Sequence, residues 1–282
     1  MELFNIQQIL QLCNKINMPF QMIDKIKENY NLINQAEIET YFFDLLNFEK
    51  ASKSYEQLQQ YTSKLDEDKV CELIILLGVA TKTYDKYIEK GISEEIYIDT
   101  MKCFSRFVIE TYKWTGKYDF DRGFWVWRQL CLILFRIGTL EFEILNIDDN
   151  IAKKFDIKES QVLSVHIPND AICSNEYLKS SYKMAFDFFK QYFNKEYKFI
   201  CSSWLLGQEL DYLIKKDSGI YNFRKDYKIV EYTESNDYLQ WVFNKFQGSI
   251  EDFIPKTSLQ MAIKEHIMSG KKMTIGLGKL EK

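Results

Sequence analysis

The residues able to do chemistry in this chain sit on a few alternating stretches. Residues 139–144, Thr-Leu-Glu-Phe-Glu-Ile, alternate polar and apolar, the period-two pattern of a half-buried strand. Glu141 and Glu143 then share one face, opposite Leu140, Phe142 and Ile144. Two carboxylates so placed can take a proton from a substrate amine. The plainer reading is a solvated sheet face. Residues 161–168 alternate again, with Ser164 and His166 on one face and Leu163, Val165 and Ile167 on the other. At a strand end His166 can serve as acid, base or hydrogen-bond donor. It can equally be a structural histidine bonded to backbone. His266 shares a helical stripe with Leu259, Ala262 and Ile263 and reads as core edge. Cys201-Ser202-Ser203-Trp204 closes a strand just before a helix. Cys201 has no neighbouring base and reads as packing. Ser202, Ser203 and Trp204 are placed to line a cleft at the carboxyl edge of a sheet. The aromatic segment 124–127 reads as core. Gly276 and Gly278 permit close backbone approach to a strand or ligand.

Other chemistries are excluded by what the chain lacks. It has no Walker loop, no G-x-G-x-x-G before a helix, no nucleophile elbow and no H-E-x-x-H. Only two histidines occur, neither near another ligand type in sequence, so no metal site is expected. The closest cysteine pairs, Cys103/Cys131 and Cys173/Cys201, are 28 residues apart, which rules out zinc-knuckle spacing. The cysteines read as reduced, mostly buried thiols in a reducing compartment. A net charge of −4 argues against a nucleic-acid partner, which would call for a basic excess. The longest clean apolar run is Leu73 to Ala80, far short of the ~20 residues of a spanning helix. Met1–Asn5 lacks the basic and apolar regions of a signal peptide. The expectation is a cytoplasmic protein with no membrane association.

The elements that must position these residues fall into two groups. Residues 1–115 read as helix throughout, with apolar positions at helical spacing from Leu3 to Ile16, a restart after Pro19, and stretches at Glu37–Leu46 and Ser54–Tyr61. Asp66-Glu67-Asp68 places negative charge at the start of a helix running to about Lys90. Ser93 caps the next, which continues through Phe104 to Gly116. From 116 the pattern becomes mixed. Strands are expected at 139–144, 161–168, 198–206, 228–232 and 272–280, and helices at Tyr177–Phe193, Gln208–Lys216, Tyr238–Phe246 and Ser258–Met268. Strands alternating with helices imply an α+β or α/β fold, a sheet covered by helices. The expected domains are therefore 1–115 and 116–282.

Five segments in this order resemble a bacterial acyltransferase family: 135–143, FRIGTLEFE; 163–168, LSVHIP; 180–189, SSYKMAFDFF; 201–206, CSSWLL; and 270–278, GKKMTIGLG. That family joins a helical N-terminal domain to a GNAT-like C-terminal domain, a mixed β-sheet flanked by helices. The resemblance implies an N-acyltransferase that moves an acyl group from acetyl-CoA or another acyl-CoA, or from a carrier-bound thioester, to a small-molecule or peptide amine. It implies that segments 161–168 and 198–204 are adjacent parallel strands that splay apart around the thioester arm. Val165, Ile167, Asn169, Ser202, Ser203 and Trp204 would then contact the donor. Glu141 or Glu143 would be the base, with His166 as second choice. The pyrophosphate would meet the loop Asn169–Glu176, which here has no glycine and carries Asp170 and Glu176. A homodimer is compatible with this reading. The alternative is a non-catalytic binding or regulatory protein that keeps the fold.

Overall fold

The computed structural model of the protein describes residues 2–66, 68–243 and 248–281. Glu67, expected at a helix start, and residues 244–246, expected to end the helix from Tyr238, lie outside the described residues. The chain forms two compact units, Met1–Ile137 and Gly138–Lys282.

The first unit is built from α1 (Ile6–Lys15), α2 (Phe20–Asn29), α3 (Gln35–Asp44), α4 (Phe48–Thr62), α5 (Val70–Glu89), α6 (Glu94–Met101), α7 (Cys103–Thr115) and α8 (Gly123–Leu130), followed by the short strand β1 (Leu134–Ile137). α5 is its axis. Leu73 to Ala80 are all buried, so this helix is apolar on every side and the others pack around it. Asp66 starts it by accepting from the amides of Val70 at 2.9 Å and Cys71 at 2.7 Å, two of the donors that a helix start leaves orphaned. The single helix expected from Ser93 to Gly116 is two, divided at Lys102. The hydroxyls of Thr100 and Ser105 bond the carbonyls of Ile96 and Lys102 on either side of the break.

Glu72 is the exception in the apolar axis. It is buried, with Oε1 accepting from the Tyr55 hydroxyl at 2.9 Å. Burial holds its carboxyl above the ordinary value, and the Tyr55 bond opposes part of that rise. A raised folded-state value gives a stability contribution complete below the unfolded value, about 4.3, and lost as pH rises through the folded one. Between pH 4 and 8 the melting temperature of the wild type is therefore expected to fall relative to that of Glu72→Gln. Parallel curves would remove the buried charge from the explanation.

The second unit carries β2 (Leu140–Asn146), α9 (Asp149–Phe155), β3 (Gln161–His166), α10 (Asn175–Phe193), β4 (Phe199–Ser203), α11 (Leu210–Leu213), α12 (Gly219–Arg224), β5 (Tyr227–Glu234), α13 (Asp237–Trp241), α14 (Ser258–Met268) and β6 (Thr274–Leu280). The six-stranded sheet runs in the order β1-β2-β3-β4-β6-β5. β3 and β4 are parallel; β2–β3, β4–β6 and β5–β6 are antiparallel. The sheet is thus mixed and flanked by helices, as the alternating pattern implied. β1, α9 and α12 were not anticipated, and 204–206, expected as strand, is a 3-10 turn. On one face Phe142, Phe199 and Tyr182 of α10 meet edge to face, at centroid distances of 5.7 to 6.3 Å. On the other, Phe155, Ile157, Val162 and Ile200 form a separate buried cluster.

Candidate active site

The site forms where two parallel strands part. β3 and β4 pair through Leu163↔Phe199 and Ser164↔Ile200, with the Leu163 amide donating to the Lys198 carbonyl at 2.9 Å. No further pair follows among the described residues, although both strands continue. Each keeps its outer partner to the end: His166 faces Glu141 across β2–β3, and Ser203 faces Gly276 across β4–β6. The backbone of 165–166 and 201–203 therefore borders a wedge between the strands. Gly276 lets the turn after β4 close over β6, since a Cβ there would lie 2.4 Å from the Leu206 carbonyl oxygen.

The register decides which side chains meet at this wedge. Cross-strand partners share a face, so Glu141, Glu143, Ser164 and His166 lie together, on the face opposite Phe142 and Val165. Glu143 Oε2 and His166 Nε2 are 2.8 Å apart. A carboxylate only accepts, so Nε2 carries the proton when the imidazole is neutral. Glu141 is buried and sits directly opposite His166. The side chain of His166 is 25% exposed against 12% for Glu143, so the imidazole is the member open to an incoming group. This is a carboxylate–imidazole pair at a strand end, suited to accepting a proton.

The remaining sequence-selected residues fall in different places. Ser202 is exposed and lies on the face of Ser164 and His166, two residues past the last β3–β4 pair. Ser203 alternates to the other face, and its Oγ accepts from the Leu205 amide at 3.1 Å. Trp204 packs on the cluster of Leu210, Tyr238, Phe243 and Ile263. Val165 is buried towards α10, so only its backbone borders the wedge. Ile167 is half-buried and Asn169 exposed on the loop into α10. Cys201 is fully buried, and burial holds its thiol far above the ordinary value, so it is packing and not a nucleophile.

Two further devices hold the site. Thr139 pins the loop between β3 and α10: its Oγ1 accepts from the Ile172 amide at 2.5 Å, and its own amide donates to Ser181 Oγ of α10 at 2.7 Å. Gly138, at φ +63°, brings that turn so close that a Cβ would lie 2.4 Å from Ser181 Oγ. The turn after β4 is held by Arg224, whose Nη1 donates to the carbonyls of Leu205 at 3.0 Å and Gly207 at 2.7 Å. A Gly-Thr step and a lone arginine carry no sequence signal of such roles, because the partners lie 17 to 42 residues away.

Comparison with known proteins agrees with this fold. Residues 7–132 match the N-acyltransferase N-terminal domain, and residues 134–280 the GNAT-like C-terminal domain. The structure is similar to that of an acyltransferase crystallised with decanoyl-CoA (TM-score 0.76, 16% identity, 96% of this chain and 86% of that one). It is also similar to acyltransferase structures holding decanoyl-CoA with teicoplanin, and CoA with 10C-teicoplanin (each TM-score 0.74, 16% identity, 96% of this chain and 87% of that one). No curated protein matches the chain in sequence. Among the described residues no helix is long and apolar enough to cross a membrane, and no group of His, Cys, Asp and Glu could hold a metal ion. The helical first unit, the mixed sheet with its parted parallel strands and the two matched domains carry one conclusion: the chain is an acyltransferase of the family that joins an N-acyltransferase N-terminal domain to a GNAT-like C-terminal domain.

Proposed function

We propose that the protein transfers an acyl group from acyl-CoA to an amine, with the thioester arm in the β3–β4 wedge and Glu143 and His166 receiving the amine's proton. The observation that carries this reading is the end of the parallel ladder at Ser164↔Ile200 beside the 2.8 Å Glu143–His166 contact. The Val165 carbonyl and the Ser202 amide, which point between the strands beyond the last pair, supply hydrogen-bond partners for an extended amide-bearing chain. The Ser202 hydroxyl stands where the wedge opens and would donate to the thioester oxygen. The bond from amine nitrogen to acyl carbon forms as the carbon–sulfur bond breaks. The nitrogen's proton passes to the imidazole held by Glu143, and the sulfur leaves as thiolate. Because the thioester is already activated, positioning and this proton transfer carry most of the catalysis. The six free thiols support a reducing, cytoplasmic setting.

The test is thiol release from acetyl-, octanoyl- and decanoyl-CoA in the presence of amine-bearing peptides and glycopeptides, with the acceptor weighed before and after. Amine-dependent release with a matching mass gain supports the reading; hydrolysis alone, or no release from any donor, defeats it. The pyrophosphate end makes a separate prediction. Asp170 and Glu176 are exposed on the loop and first turn leading into α10, where an anion would meet the helix N-terminus. Asp170→Asn with Glu176→Gln is expected to lower KM for acyl-CoA roughly threefold to tenfold and leave KM for the matching acyl-pantetheine unchanged. An equal effect on both donors would place the phosphates elsewhere.

A further inference from the structure

We infer that Thr139 is a positioning residue for the acyl donor: it fixes the loop between β3 and α10 in the shape that receives the phosphate end of acyl-CoA. The inference rests on the reading above, in which the donor's phosphates meet this loop and the start of α10.

The loop does not set its own course. Residues 169–176 contain no glycine, and none of them takes a positive φ. One tight turn starts it, with the Ala171 amide donating to the Pro168 carbonyl at 3.0 Å. The next residue, Ile172, is 52% exposed, so burial of its side chain does not hold this point of the chain. Its amide does, by donating to Thr139 Oγ1 at 2.5 Å. Thr139 is itself buried, which keeps water from competing for that bond. Asp170 precedes the anchored amide and Glu176 follows it, so the anchor lies inside the stretch that faces the phosphates.

The same residue grips the helix. The Thr139 amide donates to Ser181 Oγ at 2.7 Å, and Ser181 is buried in α10. Ser174 caps that helix through the Tyr177 amide, so the second grip lies about two turns past the cap. Loop and helix are therefore held at two points by one residue. Thr139 also stands immediately before β2, the strand that carries Glu141 and Glu143. It thus sets where the phosphate end of the donor lies relative to the proton acceptor, and a small misplacement of a bound reactant is costly in rate. A surface threonine in a turn would have neither bond.

The test compares KM for acyl-CoA with KM for the matching acyl-pantetheine, which has no phosphates to place. Thr139→Val keeps the shape of the side chain, removes the acceptor and leaves the Ile172 amide without its partner. The ratio of the two KM values is expected to rise about tenfold. Thr139→Ser keeps the hydroxyl and is expected to restore the ratio to near the wild-type value. A general loosening of the fold raises both KM values alike and leaves the ratio where it was. If circular dichroism shows Thr139→Val to be unfolded, Ser181→Ala carries the test, with a rise in the same ratio expected. An unchanged ratio in the folded variant, or a serine variant as impaired as the valine one, overturns the inference. Asp170→Asn with Glu176→Gln reports on the underlying reading. If that double variant separates the two donors and Thr139→Val does not, the phosphate site stands and this inference alone falls. If neither separates them, the loop is not the phosphate site and both fall.

Discussion

His166→Asn and Glu143→Gln are each expected to lower kcat by about 10²–10⁴-fold, the contribution of a positioned acid–base group, while the protein stays folded. Glu143→Gln is matched in shape at a buried position and His166→Asn keeps a polar group at a partly exposed one, so a large loss of stability is not expected. Glu143→Gln keeps an acceptor for His166 Nε2–H but removes the charge that stabilises the protonated imidazole. Its defect should therefore be the smaller. The two losses should not add, because the residues act as one pair at 2.8 Å. A structural role is separated from this by the pH profile of kcat. Loss of the proton acceptor changes the shape of the profile, whereas a loosened strand end lowers rate at every pH alike. An unaltered profile with a merely scaled rate would move the base elsewhere, with Glu141, opposite His166, the next residue to test.

The largest stability effect is expected at Phe142, between the two glutamates on β2. Its ring is fully buried and meets Phe199 of β4 at 5.7 Å and Tyr182 of α10 at 6.3 Å. Phe142→Ala removes the aromatic contacts and leaves a cavity beneath the sheet, a cost of about 3–5 kcal/mol. For a unit of this size the midpoint should fall by roughly 10 °C. Because Phe142 is register-paired with Val165, the damage reaches the wedge, and KM for the donor should rise as well. Phe142→Leu, which fills most of the volume, should recover the greater part of both losses. Ser202→Ala, exposed and outside the core, should leave the midpoint unchanged while lowering turnover. A small effect of Phe142→Ala would mean that the α10 face tolerates a void, and the strand ends would then be braced from the opposite face.

The parts of this arrangement that could be read from residue order are those set by local period. Alternation at 140–144 and 161–167 already places Glu141 and Glu143 on one face of their strand, and Ser164 and His166 on one face of theirs. Which faces coincide depends on register, a non-local quantity, so the Glu143–His166 contact across 23 residues had no local signature. β1, four residues across the end of an apolar run that Arg136 breaks, shows no period of its own, and α9 is a seven-residue helix with one buried position. Trp204 was expected to line a cleft because it stands at the carboxyl edge of the sheet. It packs on an apolar cluster after the 3-10 turn that Ser203 caps. Glu209 and Thr274, 65 residues apart, are joined by a side-chain bond that no spacing rule anticipates.

Hydrogen–deuterium exchange with and without a non-hydrolysable acyl-CoA analogue probes the parted strands most directly. Protection is expected at the amides of Ile167 and Ser202, which point between the strands beyond the last pair, with little change along β2 and β6, whose amides are already bonded. Protection confined to other segments, or none at saturating ligand, would contradict a donor arm lodged between β3 and β4.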